Sequence, residues 1–266
     1  MKTLSHVSGI ILLEAKGSFL NGAGLGEGED KNQTVPKTFR DGSYRVPYVS
    51  SQAWRRWLRN TLIEETGWNQ SVIKAIGLST KGTTNKIAGE TNPVEFPEDD
   101  IFGYMKAQKG QGKLVEDEDN GEGEEQKTTT KKVKSLMRAS PFSSSILVSI
   151  RNNGWQGSDE GFVHLQEGTP QPYKTDFYNT HLQGLFCLNY QRLGLFANLG
   201  DRVELDENLI SDMMKKKKIT LKKEDPAGNI YEIANPVQVR KDRATELLKA
   251  LAVLRGGAKQ TQFGTD

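Results

Sequence analysis

The sequence has few of the side chains that catalytic and metal sites most often use. It contains one cysteine, Cys187, which excludes a disulfide framework and a cysteine-rich zinc site. Its three histidines, His6, His164 and His181, are too few for a histidine metal cluster. No apolar run approaches the roughly 18 residues of a membrane-spanning helix, and the apolar stretch near the N-terminus is too short for a signal peptide. We therefore expect a cytoplasmic protein.

The sequence has little net charge of either sign, but its charged residues are unevenly distributed. The formal net charge is +2, yet seven of the ten residues in Glu116–Glu125 are acidic, so the rest of the chain carries +9. A mildly basic body with an acidic loop is compatible with an anionic partner such as nucleic acid. It is also compatible with a solvated loop on an ordinary protein.

The clearest predicted element is a helix that begins at Ser50 or Ser51. Serine caps a helix because its side-chain oxygen accepts a hydrogen bond from a free amide of the first turn. Gly67 is the predicted end. The apolar residues recur with helical spacing on one face: Trp54, Trp57, Leu58, Thr61 and Leu62. The other side carries Gln52, Arg55, Arg56 and Arg59.

The rest of the pattern predicts an α+β fold with helices on one face of an antiparallel sheet. The apolar run Val7–Ala15 predicts a buried strand, and residues 242–255 predict a helix that Asp242 caps and Gly256-Gly257 ends. Residues 110–134 are polar and rich in charge, which predicts a mobile insert. The other predicted elements are a short helix over Asp99–Met105, strands over 136–150, 177–196 and 229–239, a strand and turn over 213–223, and a hairpin or loop over 152–175.

The candidate enzyme motifs are weak. The glycines of 22–28 alternate and precede a polar loop, so a dinucleotide site is rejected, and Gly77–Thr83 lacks the lysine of a P-loop. Cys187 lies in an apolar strand pattern, which is typical of a core residue. His164 and His181 flank a Gly/Pro loop and could supply the acid and base of a ribonuclease, but nothing in their spacing requires this.

The arginines that follow Ser50 are a stronger signal. Guanidinium groups one turn apart at a capped helix start can contact successive phosphates, with ion pairs inside the chain as the alternative. A second basic segment, 255–260, follows the last predicted helix. Its two glycines would either let the backbone approach a ligand closely or simply end the helix. No complete RNA-recognition-motif signature is present, so RNA binding would use backbone and shape.

Several segments together resemble one known family. They are KNQTVPKTFR at 31–40, RVPYVSSQAWRRWLR at 45–59, DIFGYM at 100–105, RASPF at 138–142, and the stretches 180–188 and 254–261. In this order they resemble the DevR-type CRISPR-associated autoregulator family, the backbone subunit of type I-B Cascade. No single segment is specific, but the joint match is, because the segments are spread over most of the chain in the family's order.

The resemblance implies a single hand-shaped RNA-binding domain over 1–266. Its fold would be a modified RNA-recognition-motif (ferredoxin-like) palm with finger insertions and a thumb hairpin. The variable finger insert would span about 79–134, with a mobile acidic loop over 110–132, and the thumb would span about 154–176. Copies stacked along the CRISPR RNA spacer would leave its bases free to pair with target DNA.

The resemblance also implies partners and site residues. The partners are CRISPR RNA, target DNA, neighbouring copies, and the large, small and handle-binding Cascade subunits; a transposon-targeting role would add transposition proteins. We expect no catalytic residue, no metal and no cofactor. The alternatives are a CRISPR-associated endoribonuclease and a regulator that binds duplex DNA, which the lack of a helix-turn-helix pattern disfavours. The RNA-binding candidates are Lys31, Asn32, Arg40, Ser50, Ser51, Gln52, Arg55, Arg56, Arg59, Gly256, Gly257, Lys259 and Gln260.

Overall fold

The computed structural model describes residues 4–25, 33–72, 74–78, 84–88, 90–106, 135–151, 155–163, 168 and 171–257. In chain order its elements are β1 (His6–Ser18), β2 (Gly22–Leu25), β3 (Gln33–Pro36), β4 (Thr38–Asp41), β5 (Tyr44–Val49), α1 (Ser51–Thr66), β6 (Lys74–Leu78), β7 (Thr84–Ala88), α2 (Pro97–Phe102), β8 (Tyr104–Lys106), β9 (Leu136–Arg138), β10 (Phe142–Ser144), β11 (Leu147–Ser149), β12 (Trp155–Val163), β13 (Gln171–Asn189), a 3₁₀ helix (Tyr190–Arg192), β14 (Leu195–Leu199), β15 (Arg202–Val203), α3 (Glu207–Lys215), β16 (Ile219–Asp225), β17 (Gly228–Ile233) and α4 (Pro236–Ala252).

The chain divides into two compact units, each assembled from separated stretches. The palm unit takes Met1–Asn69, Pro141–Leu193 and Arg240–Asp266, and the second unit takes Gln70–Ser140 and Gly194–Val239. The mixture of antiparallel sheets and a few helices confirms the predicted α+β class with a ferredoxin-like palm. The single-domain assignment stays a prediction, because a unit defined by contacts is not thereby an independently folding domain.

The palm unit is organised around β13, a strand of 19 residues. The C-terminal half of β13 pairs antiparallel with β1 on one side and with β10 and β11 on the other. Its N-terminal half pairs antiparallel with the whole of β12, and the two strands form a hairpin where one was predicted. The assignment of this hairpin as a thumb stays a prediction. Over 177–196 the sequence predicts one long strand or two short ones, and the structure has two strands there, β13 and β14, separated by the 3₁₀ helix.

The first strand, β1, is buried on one face only. Ile11, Leu13 and Ala15 are buried, whereas the side chains of Ile10 and Leu12 are 64% and 58% exposed. The predicted strand is confirmed, but the prediction that it is buried is wrong at every second position. A continuous apolar run concealed the alternation of side chains that any strand imposes.

The predicted helix after Ser50 is confirmed at both ends and on its buried face. The Ser50 hydroxyl oxygen accepts a hydrogen bond from the Ala53 amide at 3.3 Å, and Gly67 ends α1 with a φ of 63°. The five residues predicted to be apolar-facing are the buried ones. Trp54 Nε1 donates to the Ser145 carbonyl at 2.7 Å and its ring meets Phe142 edge-on at 5.9 Å. These contacts fix α1 against the segment that carries β10.

The second unit contains a sheet in the order β16-β17-β14-β15-β9-β8. Helix α3 begins at Asp206, whose carboxylate accepts from the Asn208 amide at 2.9 Å. Because α3 continues to Lys215, the strand and turn predicted over 213–223 is wrong for its first residues. One face of the sheet packs with α3 into a core of Val94, Phe196, Leu205, Ile210, Met213, Ile219, Tyr231 and Ile233.

Two predicted helix starts are wrong because proline signals were overlooked. Helix α4 begins at Pro236, so Asp242 lies inside it and caps nothing, and the strand predicted over 229–239 ends at Ile233. Helix α2 begins at Pro97 and ends before Gly103, which has a φ of 71°. Proline favours the first position of a helix because its fixed φ is already helical and its missing N–H is not needed there.

A cluster of buried charges lies in the second unit. The side chains of Arg138, Asp100 and Glu204 have no exposed surface. Arg138 Nη1 donates to Glu204 Oε2 at 2.7 Å and to the Leu195 carbonyl at 3.0 Å, and Nη2 donates to the Asp100 carboxylate. The guanidinium also lies 4.7 Å from the centroid of the Phe196 ring. The cluster therefore joins α2, β9 and β14 through charges that are paired and hydrogen-bonded, as burial demands.

Candidate nucleic-acid interface

The start of α1 presents the residues predicted to meet RNA. Ser50 is already engaged within the chain, because its hydroxyl caps the helix and its own amide donates to Asn21 Oδ1 at 3.0 Å. Ser51 is half-buried and Gln52 is exposed. The helix dipole and the remaining first-turn amides still favour an anion at this end. Ser50 therefore supports the start of the helix, and its role in RNA binding stays a prediction.

The three arginines of α1 do not share one environment. Arg56 is exposed, whereas Arg55 and Arg59 are half-buried and interact with other groups of the chain. Burial lowers the pKa of the Arg55 guanidinium, although its pKa starts so high that the group stays charged at neutral pH. Arg56 is thus the arginine of this helix best placed to meet a phosphate, and the role of all three stays a prediction.

The segment after α4 is explained in part by packing inside the palm unit. Arg255 Nη2 lies 3.0 Å from a Glu64 oxygen and 2.8 Å from a Glu65 oxygen. A Cβ added to Gly256 would lie 2.3 Å from Cγ of Trp57. Glycine is required at 256 because the backbone approaches Trp57, which is a structural reason for a residue predicted to approach RNA. Gly257 is half-buried.

The hairpin β4–β5 places Arg40 directly opposite Arg45. Both side chains are exposed. The hairpin closes through Gly42-Ser43, and Gly42 has a φ of 59°. Arg45 is a residue that sequence reasoning missed as a site residue. A two-residue Gly-Ser turn is a hairpin signal, and counting outward from Gly42-Ser43 sets Arg40 opposite Arg45.

Several predicted residues lie outside the described ranges. These are Lys31, Asn32, Lys259 and Gln260 of the RNA-binding set, His164 of the possible acid–base pair, and the acidic loop over 110–132.

Among the described residues the ingredients of a catalytic centre are sparse. His181 lies on β13 opposite Glu14, with 3.9 Å between Nε2 and Oε1, and both side chains are about half exposed. Cys187 is half-buried on the same strand. Within the described ranges no group of three or more His, Cys, Asp and Glu could hold a metal ion. No described helix is both long and apolar enough to cross a membrane.

No protein-family model matches the chain, and no curated protein matches it. Among solved structures it is similar to a chain of a "CRISPR RNA-guided surveillance complex, pre-nicking", with a TM-score of 0.50 and 10% identity over 98% of this chain and 76% of that one. The similarity is one of fold. A chain of a "CRISPR RNA-guided surveillance complex" aligns with 91% of this chain at a TM-score of 0.38 and 12% identity, and this chain spans 60% of its length.

Proposed function

We propose that this chain is the multicopy backbone subunit of a type I CRISPR surveillance complex, or Cascade. It binds CRISPR RNA along the spacer and presents the bases for pairing with target DNA. The observation that carries the proposal is the shared fold, over 98% of the chain, with a chain of a CRISPR RNA-guided surveillance complex. The exposed Arg56 of α1 and the exposed Arg40 and Arg45 of the β4–β5 hairpin supply the positive charge that such binding requires.

The finer assignment rests on the sequence segments that resemble the DevR-type family. It makes the complex a type I-B Cascade in the cytoplasm, with neighbouring copies and the large, small and handle-binding subunits as protein partners. Heterologous contacts between copies would extend a filament rather than close a ring. The same biochemistry serves either antiviral defence or the targeting of a transposon. In the transposon role, transposition proteins are further partners.

The central test is a titration with single-stranded RNA. Unrelated RNA sequences of three lengths, in the ratio one to two to three, are mixed with the protein and the mass of each complex is measured by light scattering. We expect protein copies to be added in steps as the RNA lengthens, with affinity that falls steeply as salt rises because phosphate contacts release counterions. The same number of protein copies on RNAs of all three lengths, or an affinity that does not change with salt concentration, would contradict the proposal.

The contribution of α1 is tested by replacing Arg56 with alanine. If Arg56 meets one phosphate, the slope of log affinity against log salt should shrink by about 0.7 for a single strand. The matched control is Lys241→Ala, which removes an exposed cation from α4 of the same unit. Equal effects of the two substitutions would mean that only the overall charge of the protein matters.

The proposed subunit holds its guide RNA without cutting it. Labelled RNA, alone or paired with DNA, should stay intact after incubation with the protein and magnesium or manganese. A ribonuclease needs a positioned acid and base, and Glu14 and His181 are the described pair closest to that arrangement. Site-specific cleavage that disappears in His181→Ala would favour the endoribonuclease instead.

A further inference from the structure

The register of the β4–β5 hairpin determines how close its two arginines come. The Tyr48 amide donates to the Lys37 carbonyl at 3.1 Å, so the pair that these two residues form is hydrogen-bonded. Antiparallel pairs alternate between hydrogen-bonded and non-hydrogen-bonded, and three steps along the ladder Arg40 and Arg45 form a non-hydrogen-bonded pair. Pro47, which has no N–H, also falls in such a pair. Side chains lie closer together in non-hydrogen-bonded pairs than in the others.

Two like charges therefore face each other on a face of the hairpin where β4 and β5 themselves carry no carboxylate. Side chains on one face of a strand are two residues apart, so Arg40 shares its face with Thr38 and Arg45 shares its face with Pro47. The nearest carboxylate in sequence, Asp41, points to the opposite face. Within the described ranges neither arginine forms an ion pair with another residue of the chain. Like charges directly opposite on a sheet are unfavourable unless something compensates them.

Three other arginines of the chain, Arg138, Arg202 and Arg255, are compensated by carboxylates. Arg255 contacts Glu64 and Glu65, and Arg202 Nη2 lies 2.6 Å from Glu204 Oε1. The Arg40–Arg45 pair differs because both side chains are exposed, start from directly opposite positions and have no ion-pair partner within the described ranges. Each guanidinium is a planar fork that matches the oxygens of a phosphate, and two forks can hold one phosphate from both sides.

We infer that Arg40 and Arg45 together bind one backbone phosphate of the RNA strand. The inference rests on the proposed function and adds to it a second phosphate site on the palm unit, apart from the start of α1. The bound phosphate replaces repulsion between the two guanidinium groups by attraction of both to a shared anion. Because the phosphate is common to every nucleotide, this site contributes affinity and position on the strand without reading sequence.

The test is a double-mutant cycle on RNA affinity with Arg40→Gln, Arg45→Gln and the double variant. Fluorescent single-stranded RNA is titrated into each protein over a range of salt. We expect each single variant to lose about ten- to a hundred-fold in affinity, and the double variant to lose scarcely more than a single one, because one phosphate is held by both. The salt slope of the double variant should shrink by about 0.7, the value for one phosphate of a single strand. The control double variant Lys215→Gln with Lys241→Gln removes the same charge from exposed positions and should change affinity little.

A second readout separates ligand binding from a role in folding. Without RNA, the Arg40→Gln variant should melt at or above the wild-type temperature, since it loses only a repulsion. The shared site would be overturned if the affinity loss of the double variant equalled the product of the two single losses and its salt slope shrank by the value for two phosphates. A drop in melting temperature without RNA would also overturn it. A double variant that binds like wild type would overturn this inference and leave the proposed function intact. If the wild-type protein binds no RNA, both are overturned. Single-stranded DNA carries the same phosphates as RNA. If the wild type binds such DNA, a variant that loses affinity for RNA but not for the DNA would also contradict a phosphate site.

Discussion

Replacing Arg138 with methionine should destabilise the second unit strongly. The substitution keeps an unbranched chain of similar length but removes the cation that Asp100 and Glu204 share. Both carboxylates have no exposed surface, so each would remain buried with a charge partner missing. Removing one member of a buried ion cluster typically costs about 3–5 kcal/mol. At roughly 3 °C per kcal/mol for a chain of this size, the melting temperature should fall by at least about 9 °C.

The assay is urea unfolding followed by far-ultraviolet circular dichroism, which reports the strands and helices of both units. The matched control is Lys216→Met, which breaks the solvent-exposed pair between Lys216 and Asp212 at 2.8 Å and should change the stability little, because water screens such pairs. Adding Asp100→Asn to Arg138→Met should restore part of the loss, because it neutralises a buried carboxylate that has lost the Arg138 cation, whereas Glu204 keeps its contact with Arg202 Nη2 at 2.6 Å. A loss below about 1 kcal/mol for Arg138→Met would refute the reasoning, and failure of the second substitution to recover stability would show that packing, not charge, is lost.

Two further substitutions test the same unit. Burial raises the pKa of the Tyr104 phenol, so the folded state holds this proton more tightly than the unfolded chain does. The free energy of unfolding should therefore fall as the pH rises above about 10. In Tyr104→Phe, the decrease in this free energy between neutral and alkaline pH should be smaller. Gly103→Ala should lower the free energy of unfolding by more than about 2 kcal/mol, since its Cβ would meet the backbone oxygen of Arg138. Gly200 also has a positive φ but has open space around it, so Gly200→Ala should lower this free energy by about 1 kcal/mol. Equal losses in thermal unfolding would contradict the clash.

Features fixed by a few neighbouring residues were predictable from the sequence. Helix α1 is the best example, because its serine cap, its apolar spacing and its terminal glycine all lie within 17 residues of one another and agree. The hairpin of β12 and β13 was indicated by its glycine and proline content. The start of α4 at Pro236 and the arginine pair of β4–β5 were also within reach, since both depend on local proline and turn signals.

Features that depend on distant residues were not predictable from a single sequence. Arg138 meets Asp100 38 positions earlier and Glu204 66 positions later, and no local pattern marks any of the three as buried. Gly256 was interpreted as a residue that approaches a ligand, but its neighbour is Trp57, which only the tertiary fold brings to it. The burial of Arg55 beside the apolar face of α1 likewise depends on what packs there.

Strand β13 has a mechanical consequence for the hairpin it builds with β12. At about 3.3 Å per residue its 19 residues extend for roughly 60 Å, and they pass from the hairpin into the palm without a break. A load applied at the hairpin tip is therefore carried as tension or shear along one continuous strand into its ladder with β1. That ladder resists sliding, because a shift by one residue would exchange the buried and exposed faces of β1. The hairpin is accordingly stiff along its length, because β13 runs from it into the palm as one unbroken strand.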